Sequence, residues 1–460
     1  MGFLFCFRSI SVRPRKIYIK TFGCQMNEHD SAKALEILDR YPYQETAELH
    51  EADLVFINTC TVREKAEHKA YSTLGRLKGL KKKKRLIIVV GGCLAQQKGV
   101  HLLERFAHLD FVLGTHNLHL LSDVVEDIQN TGRRWCETCF RDRAPSMELT
   151  ALRQLKARAY VTIMQGCDNF CSYCIVPMVR GPERSRPSLQ ILEEVRRLAE
   201  RGVKEIVLLG QNVNSYGKGL EAEMTFPALL RAVSRIEGIR RIRFTTSHPK
   251  DLSLDLITCF RDLPELCEHL HLPFQSGSNR ILKAMNRGYN REAYMDKVER
   301  LREVCPHMAI TADVLVGFPG ETERDFEDTM DLIDRVHFDG LFSFRYSARE
   351  GTAAADLPGQ IPEALKGRRL KVLQERQRSM TRRKNEEMVG RIERVLVEGR
   401  SQKNPLDMMG RTRTHRIVNF PGDGNLVGEE IWVRIVKGFA NSLRGEPILL
   451  GPMVRAVRNL

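Results

Sequence analysis

The chain has 460 residues, too many for one ordinary core, so two to four domains are expected. Hydrophobic residues make up 42% and charged residues 28%, ordinary soluble-globular usage, and no stretch approaches the roughly 18 consecutive apolar residues of a membrane span. The net charge of +15 suits a polyanionic partner as well as a merely solvated basic surface, and twelve cysteines without an export signal favour metal binding or reactivity over a disulfide framework.

Met1–Pro14 opens with a short apolar run that no small-residue cleavage site follows, and is expected to be a disordered lead-in or an upstream start. From Lys16 the chain alternates short apolar runs with helical patterns. Strands are predicted at Lys16–Thr21, Asp53–Thr59, Arg85–Gly91 and Asp110–Leu113, with helices at Ser31–Arg40, Arg63–Leu80 and His119–Gln129, implying a parallel sheet wrapped by helices over 15–130. Residues 130–157 are polar and aperiodic and read as a linker. A second β/α series follows in a domain expected to span 153–385. Its strands are Tyr160–Met164, Glu205–Leu209, Arg241–Thr245, His269–Pro273, Ile310–Val316 and Leu341–Phe344, enough for an open or partial (β/α)6 barrel. Pro362–Glu387 is a charged helical pattern. From 386 to 455 short alternating strands (Arg394–Val397, His415–Val418, Glu430–Ile435) predict a small all-β barrel, and residues 381–460 carry 15 Lys and Arg against 9 Asp and Glu. A basic barrel of this kind fits a nucleic-acid clamp. Phe420 and Trp432 are able to stack on bases, but burial in the barrel core is expected for both.

The sharpest motif is Gly166-Cys167-Asp168-Asn169-Phe170-Cys171-Ser172-Tyr173-Cys174, three cysteines at CxxxCxxC spacing just past a predicted strand. Thiolates are the usual ligands of iron–sulfur clusters, and three of them on a four-iron cluster leave one iron open to a small molecule that chelates through an amine and a carboxylate. Structural zinc sites want four ligands, and no fourth Cys or His lies nearby. Cys24, Cys60 and Cys93 each lie at or just past the end of a predicted parallel strand, so they can converge on one sheet edge. Three buried small side chains remain the alternative, since free cysteine is often buried; the repeated placement beside Gly or Thr favours a second cluster. Cys136 and Cys139 form a CxxC in the expected linker, and Cys6, Cys259, Cys267 and Cys305 lack ligand spacing. The basic run Lys81–Arg85 suits a helix C-terminus without any ligand.

The CxxxCxxC motif in a β/α series resembles the radical S-adenosylmethionine (SAM) superfamily. The resemblance implies that the open iron chelates SAM and that an electron from the cluster cleaves it to a 5′-deoxyadenosyl radical. It also implies SAM contacts from Tyr173, from Gly210, Gln211 and Asn212 after the second strand, and from Gly317, Phe318 and Glu321 after the fifth. Together with Cys24, Cys60 and Cys93, these motifs resemble the methylthiotransferases over about residues 16–450. That family has a flavodoxin-like N-terminal domain with three cluster-binding cysteines, a radical SAM domain and a C-terminal TRAM barrel. Gly23-Cys24-Gln25-Met26-Asn27-Glu28-His29-Asp30-Ser31, Arg180-Gly181-Pro182-Glu183-Arg184-Ser185-Arg186-Pro187 and Thr246-Ser247-His248-Pro249 are similar to the branch acting on tRNA, with Pro182 a mild departure. The resemblance therefore implies addition of a methylthio group to carbon 2 of N(6)-dimethylallyladenosine beside the anticodon. Two 4Fe-4S clusters and two SAM per product would serve it, with no catalytic residue assigned beyond the cluster ligands. The implied partners are tRNA, an electron-donor protein and a sulfur source. A cytoplasmic monomer with no membrane contact is expected. The alternatives are the related reactions on threonylcarbamoyl-adenosine in tRNA or on a ribosomal-protein aspartate, and, more distantly, a non-catalytic RNA-binding protein holding zinc.

Overall fold

A computed structural model describes residues 15–39, 43–61, 64–140, 157–219 and 224–448. The expected lead-in Met1–Pro14, the middle of the expected linker (141–156) and the end of the C-terminal domain (449–455) lie outside the described residues. The chain forms two compact units: residues 1–151 with Met178–Arg180, and residues 152–177 with 181–460.

The first unit runs β1 (Arg15–Phe22), α1 (Gln25–Asp39), β2 (Tyr43–Glu45), β3 (Leu54–Thr59), α2 (Glu64–Lys83), β4 (Ile87–Gly91), α3 (Cys93–Lys98), α4 (Val100–Arg105), β5 (Phe111–Leu113), α5 (Leu121–Thr131) and β6 (Trp135–Glu137). Its sheet is parallel in the order β2-β1-β3-β4-β5-β6, the flavodoxin-like order with one strand added at the edge. Successive side chains of a strand point to opposite faces, and here both faces are covered, so central strands are apolar throughout. In β3 and β4, Val55, Ile57, Ile88 and Val90 pack with Ala70, Leu74 and Leu77 of α2, while Leu54, Phe56, Ile87 and Val89 pack with Ala34 and Leu38 of α1 and Val125 and Ile128 of α5. Two expectations change. Helix α1 starts at Gln25, directly after Cys24, and not at Ser31, because its first turn is polar and shows no apolar period. Trp135–Glu137 lies in the expected linker yet pairs with β5, and Trp135 Nε1 donates to Asp127 at 2.6 Å, so the domain runs past residue 130.

In the second unit, β7 (Arg158–Thr162), β8 (Met164–Gln165), α6 (Val176–Arg180), β9 (Arg184–Ser185), α7 (Ser188–Glu200), β10 (Glu205–Leu209), α8 (Phe226–Ser234) and β11 (Arg241–Thr245) come first; the last three residues of α6 belong to the first unit. Then follow α9 (Leu254–Asp262), β12 (His269–His271), α10 (Asn279–Ala284), α11 (Arg291–Val304), β13 (Ala309–Val316), α12 (Glu323–Val336) and β14 (Gly340–Arg345). β11-β10-β7 and β12-β13-β14 are two parallel three-stranded halves joined by a bridge between Ile242 and Leu266, which makes six strands of a partial barrel. One continuous core fills it, from Val161 and Leu208 to Phe274, Ile310 and Phe338. A capping box of Thr322 and Asp325 starts α12.

Helix α13 (Glu363–Glu386) leads into a closed five-stranded barrel ordered β15-β16-β17-β19-β18. Its strands are β15 (Ile392–Arg400), β16 (Asp407–Thr412), β17 (Ile417–Pro421), β18 (Glu430–Gly438) and β19 (Leu443–Pro447). Phe420 is core, as expected. Trp432 is not: it sits on the outward side of β18, 43% exposed, with the Arg394 guanidinium 5.7 Å from its ring centre. The alternation of β18 decides this, since Val433 and Ile435 take the inward positions.

The small barrel docks on the N-terminal ends of the larger barrel's strands. Arg158 at the start of β7 pairs with Glu398. Arg241 at the start of β11, wholly buried, donates to Glu430 and to the carbonyls of Arg411 and Arg394. Arg243 bridges Glu205 and the Thr412 carbonyl, Arg413 reaches Glu268, and Arg416 reaches Asp339 before β14.

Candidate functional site

β1, β3 and β4 are parallel neighbours, so their C-terminal ends share one edge of the first unit's sheet. Cys24 lies two residues past β1, Cys60 directly follows β3, and Cys93 opens α3 just past β4. Gly23 lets the first two loops approach: a Cβ there would sit 2.7 Å from Cys60 Cβ. The Cys60 thiol hydrogen-bonds to the Cys24 sulfur and is the main reason the Cys24 thiol is lowered to about 6; the charge of Arg180 adds to this. Cys93 is buried, and burial pushes its thiol up. Asn27 Oδ1 accepts from Cys24 N at 3.3 Å and from its thiol at 3.4 Å. Asn27 is tied in turn to Asn58 (2.9 Å), and Asn58 to Ser31 (3.0 Å), which locks the two loops together. Arg180, 3% exposed, donates from Nε to Cys93 Sγ at 3.4 Å and from Nη2 to Asp30 at 2.8 Å.

In the second unit, the loop carrying Cys167, Cys171 and Cys174 lies between β8 and α6, past the C-terminal end of β7. Gly166 at φ 82° lets it turn, since a Cβ there would meet the Pro182 carbonyl oxygen at 1.9 Å. Each flank of the loop is fixed from outside. Gln211 accepts from Gly166 N at 2.6 Å, Asn286 donates to the Phe170 carbonyl at 3.0 Å, and Ser172 N donates to Met285 O at 3.0 Å. Asn169 Nδ2 donates to Cys167 Sγ at 3.4 Å, and buried Arg287 donates to Cys171 Sγ at 3.3 Å and to the Pro273 carbonyl. Burial raises the Cys167 thiol and pushes Cys174 up to about 12.

Among the described residues no three His, Cys, Asp or Glu side chains are grouped to hold a single metal ion. Each set offers three free thiols, a donor set that suits an iron–sulfur cluster. The other expected contacts are mixed. Gly210, Gln211 and Asn212 directly follow β10 at the same end as the thiols. Asn212 is buried, gives Nδ2 to Asp251 at 2.7 Å, and leaves Oδ1 without a partner among the described residues; Ser247 Oγ and His248 Nε2, past β11, are likewise unpartnered. Tyr173 packs on a cluster of Ile281, Met285, Phe318, Tyr346 and Ala354. Phe318 is buried in that cluster. The Glu321 carboxylate accepts from Gly317 N at 2.8 Å and is paired with buried Arg369 at 2.7 Å. These two residues shape the turn after β13. Arg186 is paired with buried Glu194 at 2.8 Å.

Three family models match the chain. One described as an uncharacterized protein family, UPF0004, covers residues 16–114; the radical SAM superfamily covers 161–333, and the TRAM domain 386–448. A relative from Syntrophus aciditrophicus, named tRNA-2-methylthio-N(6)-dimethylallyladenosine synthase, is 53% identical over 95% of this chain and 95% of its own. Relatives of the same name from Geobacter metallireducens and Clostridium botulinum are 50% and 47% identical over 94% of this chain, covering 98% and 97% of theirs. The chain belongs to the radical SAM methylthiotransferases. Among solved structures, the radical SAM methyltransferase TsrM from Kitasatospora setae matches 75% of this chain and 77% of its own at a TM-score of 0.54 and 13% identity, a likeness of fold.

Membership in this family gives the quoted motifs physical content. Asn27, Ser31 and Asn58 lock the loops of the first thiol set, and Arg180 reaches Cys93. His248 is a buried neutral imidazole, lowered to about 2 by burial and by the Arg287 charge. Two contacts escaped sequence reasoning. Arg287 stands in no motif, and Arg180 stood in one without a role. Each reaches its sulfur across a long stretch of chain, so no local pattern marks it.

Proposed function

We propose that the chain adds a methylthio group to carbon 2 of N(6)-dimethylallyladenosine in tRNA, beside the anticodon. The observation that carries this reading is two separate three-thiol sets, one in each unit, in a chain 53% identical nearly end to end to a synthase of that name. Cys167, Cys171 and Cys174 would hold one 4Fe-4S cluster and Cys24, Cys60 and Cys93 the other. Bound clusters and SAM would supply one-electron radical chemistry, the methyl group and a carrier for the sulfur. Radical chemistry suits this carbon, whose aromatic hydrogen acid–base catalysis scarcely reaches.

The chain's own residues bind and orient. Asn212 Oδ1, buried and unpartnered, suits the ammonium group of SAM, which a buried acceptor would otherwise lack. Gln211 holds the strand end against the thiol loop, and Gly210, Tyr173 and the turn at Gly317 would line the SAM site. Trp432 with Arg394 over its face gives the C-terminal barrel an exposed stacking surface for RNA. An electron-donor protein and a sulfur source are required. We take the enzyme to act as a cytoplasmic monomer; no helix among the described residues is long and apolar enough to cross a membrane.

Mass spectrometry of tRNA nucleosides from cells lacking the protein tests the reading. Dimethylallyladenosine is expected to accumulate while its methylthio form disappears, and the cloned gene is expected to restore it. An unchanged ratio of the two, with loss of methylthio from threonylcarbamoyl-adenosine or from a ribosomal-protein aspartate, would move the substrate to that branch.

A further inference from the structure

Arg180 is held more firmly than a packing role requires. Its guanidinium is 3% exposed and divides its nitrogens between Cys93 Sγ at 3.4 Å and the Asp30 carboxylate at 2.8 Å. The backbone beneath it is pinned as well: His116 Nε2 donates to the Arg180 carbonyl at 3.0 Å, and Thr115 Oγ1 to the Val179 carbonyl at 2.7 Å. The charge of Arg180 also reaches Cys24. A fork with one arm fixed on a carboxylate cannot rotate away from the sulfur that the other arm meets.

We propose that Arg180 is a positioning residue that raises the reduction potential of the cluster held by Cys24, Cys60 and Cys93, acting through the hydrogen bond to Cys93 and through its charge, with Asp30 as the opposing charge. This rests on the reading that these three thiols hold a cluster. A four-iron cluster on three thiolates is anionic and gains a further negative charge on one-electron reduction. Burial strengthens the attraction of a neighbouring cation for that added charge, and N–H···S bonds withdraw electron density from the ligand sulfur. The pair therefore makes a graded device: Arg180 favours the reduced state, and Asp30 moderates it. In the other unit Arg287 stands on Cys171 at 3.3 Å in the same way, and serves as an internal reference.

The experiment uses the full chain with Cys167, Cys171 and Cys174 replaced by Ala, reconstituted anaerobically with iron and sulfide, and follows the remaining cluster by EPR through a reductive titration. Arg180→Gln is expected to shift the midpoint to lower potential, Asp30→Asn to higher potential, and Arg180→Lys to fall between Arg180→Gln and the parent. A merely structural ion pair would move Arg180→Gln and Asp30→Asn the same way or leave both midpoints alone, and either result overturns the inference. Should Arg180→Gln lose its iron, Asp30→Asn decides alone: a rise supports the proposal and no rise refutes it. If the parent triple variant binds no iron, the second-cluster reading fails and the inference falls with it. In chains with all six cysteines, the second unit's cluster is expected to keep its potential in every variant.

Discussion

Burial treats the cluster thiols unequally. Cys174 is pushed up to about 12, while the Cys60 hydrogen bond lowers Cys24 to about 6. Cys167→Ala is expected to abolish SAM cleavage and to leave about four of about eight irons per chain, by the two-cluster count. Anaerobic reconstitution with iron analysis and a 5′-deoxyadenosine assay checks it, and retained cleavage would sink the assignment of that loop. At this scale the CxxxCxxC loop stood out in the sequence, because three cysteines lie within eight residues. The partners of Glu321 and Phe318 did not. Their positions after β13 suggested ligand contact, and only the structure shows one paired with Arg369 and the other in a core cluster.

The turn between β16 and β17 joins the two barrels of the second unit. His415, at φ 66°, stacks on His269 with ring centres 4.8 Å apart, and His269 Nε2 meets Thr311 Oγ1 at 3.1 Å. Burial holds both imidazoles well below their ordinary value; Arg243 and Arg411 add to this at both, His271 lowers His269, and His269 lowers His415. The folded chain thus keeps them neutral where the unfolded chain, at an ordinary imidazole pKa of about 6.5, takes up protons. Unfolding binds protons below that pH, so this contribution is full above about pH 6.5 and is lost as the pH falls further. Thermal unfolding between pH 7.5 and 5.5 checks it. His415→Asn, which tolerates the left-handed backbone, is expected to flatten the dependence. An equal slope in the variant would remove the pair as its source. Most elements were legible, since β3, β4 and β13 are apolar runs long enough to stand out from their polar flanks. β2, β6, β16 and β19 were not, being short or polar edge and barrel strands whose pairing partners lie elsewhere in the chain.

Over the whole of the second unit, the small barrel closes the end of the β/α barrel opposite the thiol loop. Arg241 is central to that closure, with no exposed surface and bonds to Glu430 and two carbonyls of the small barrel. Removing one partner of a buried ion pair costs about 3–5 kcal/mol. Arg241→Met is expected to lower stability by an amount of that order and to expose the segment before residue 386 to protease, checked by urea unfolding and limited proteolysis; an unchanged midpoint would show that the contact is dispensable. The sequence by itself determined the chemistry and the division into β/α and β-barrel segments. Ligand spacing and hydrophobic period act over a few residues, and the chain writes them out in order. Which guanidinium meets which sulfur was decided only by the tertiary structure, as were the end of the large barrel that the small one covers and the outward turn of Trp432. Arg180 reaches Cys93 from 87 residues away and Arg287 reaches Cys171 from 116, and contacts closed over such distances leave no period or spacing in the chain between them.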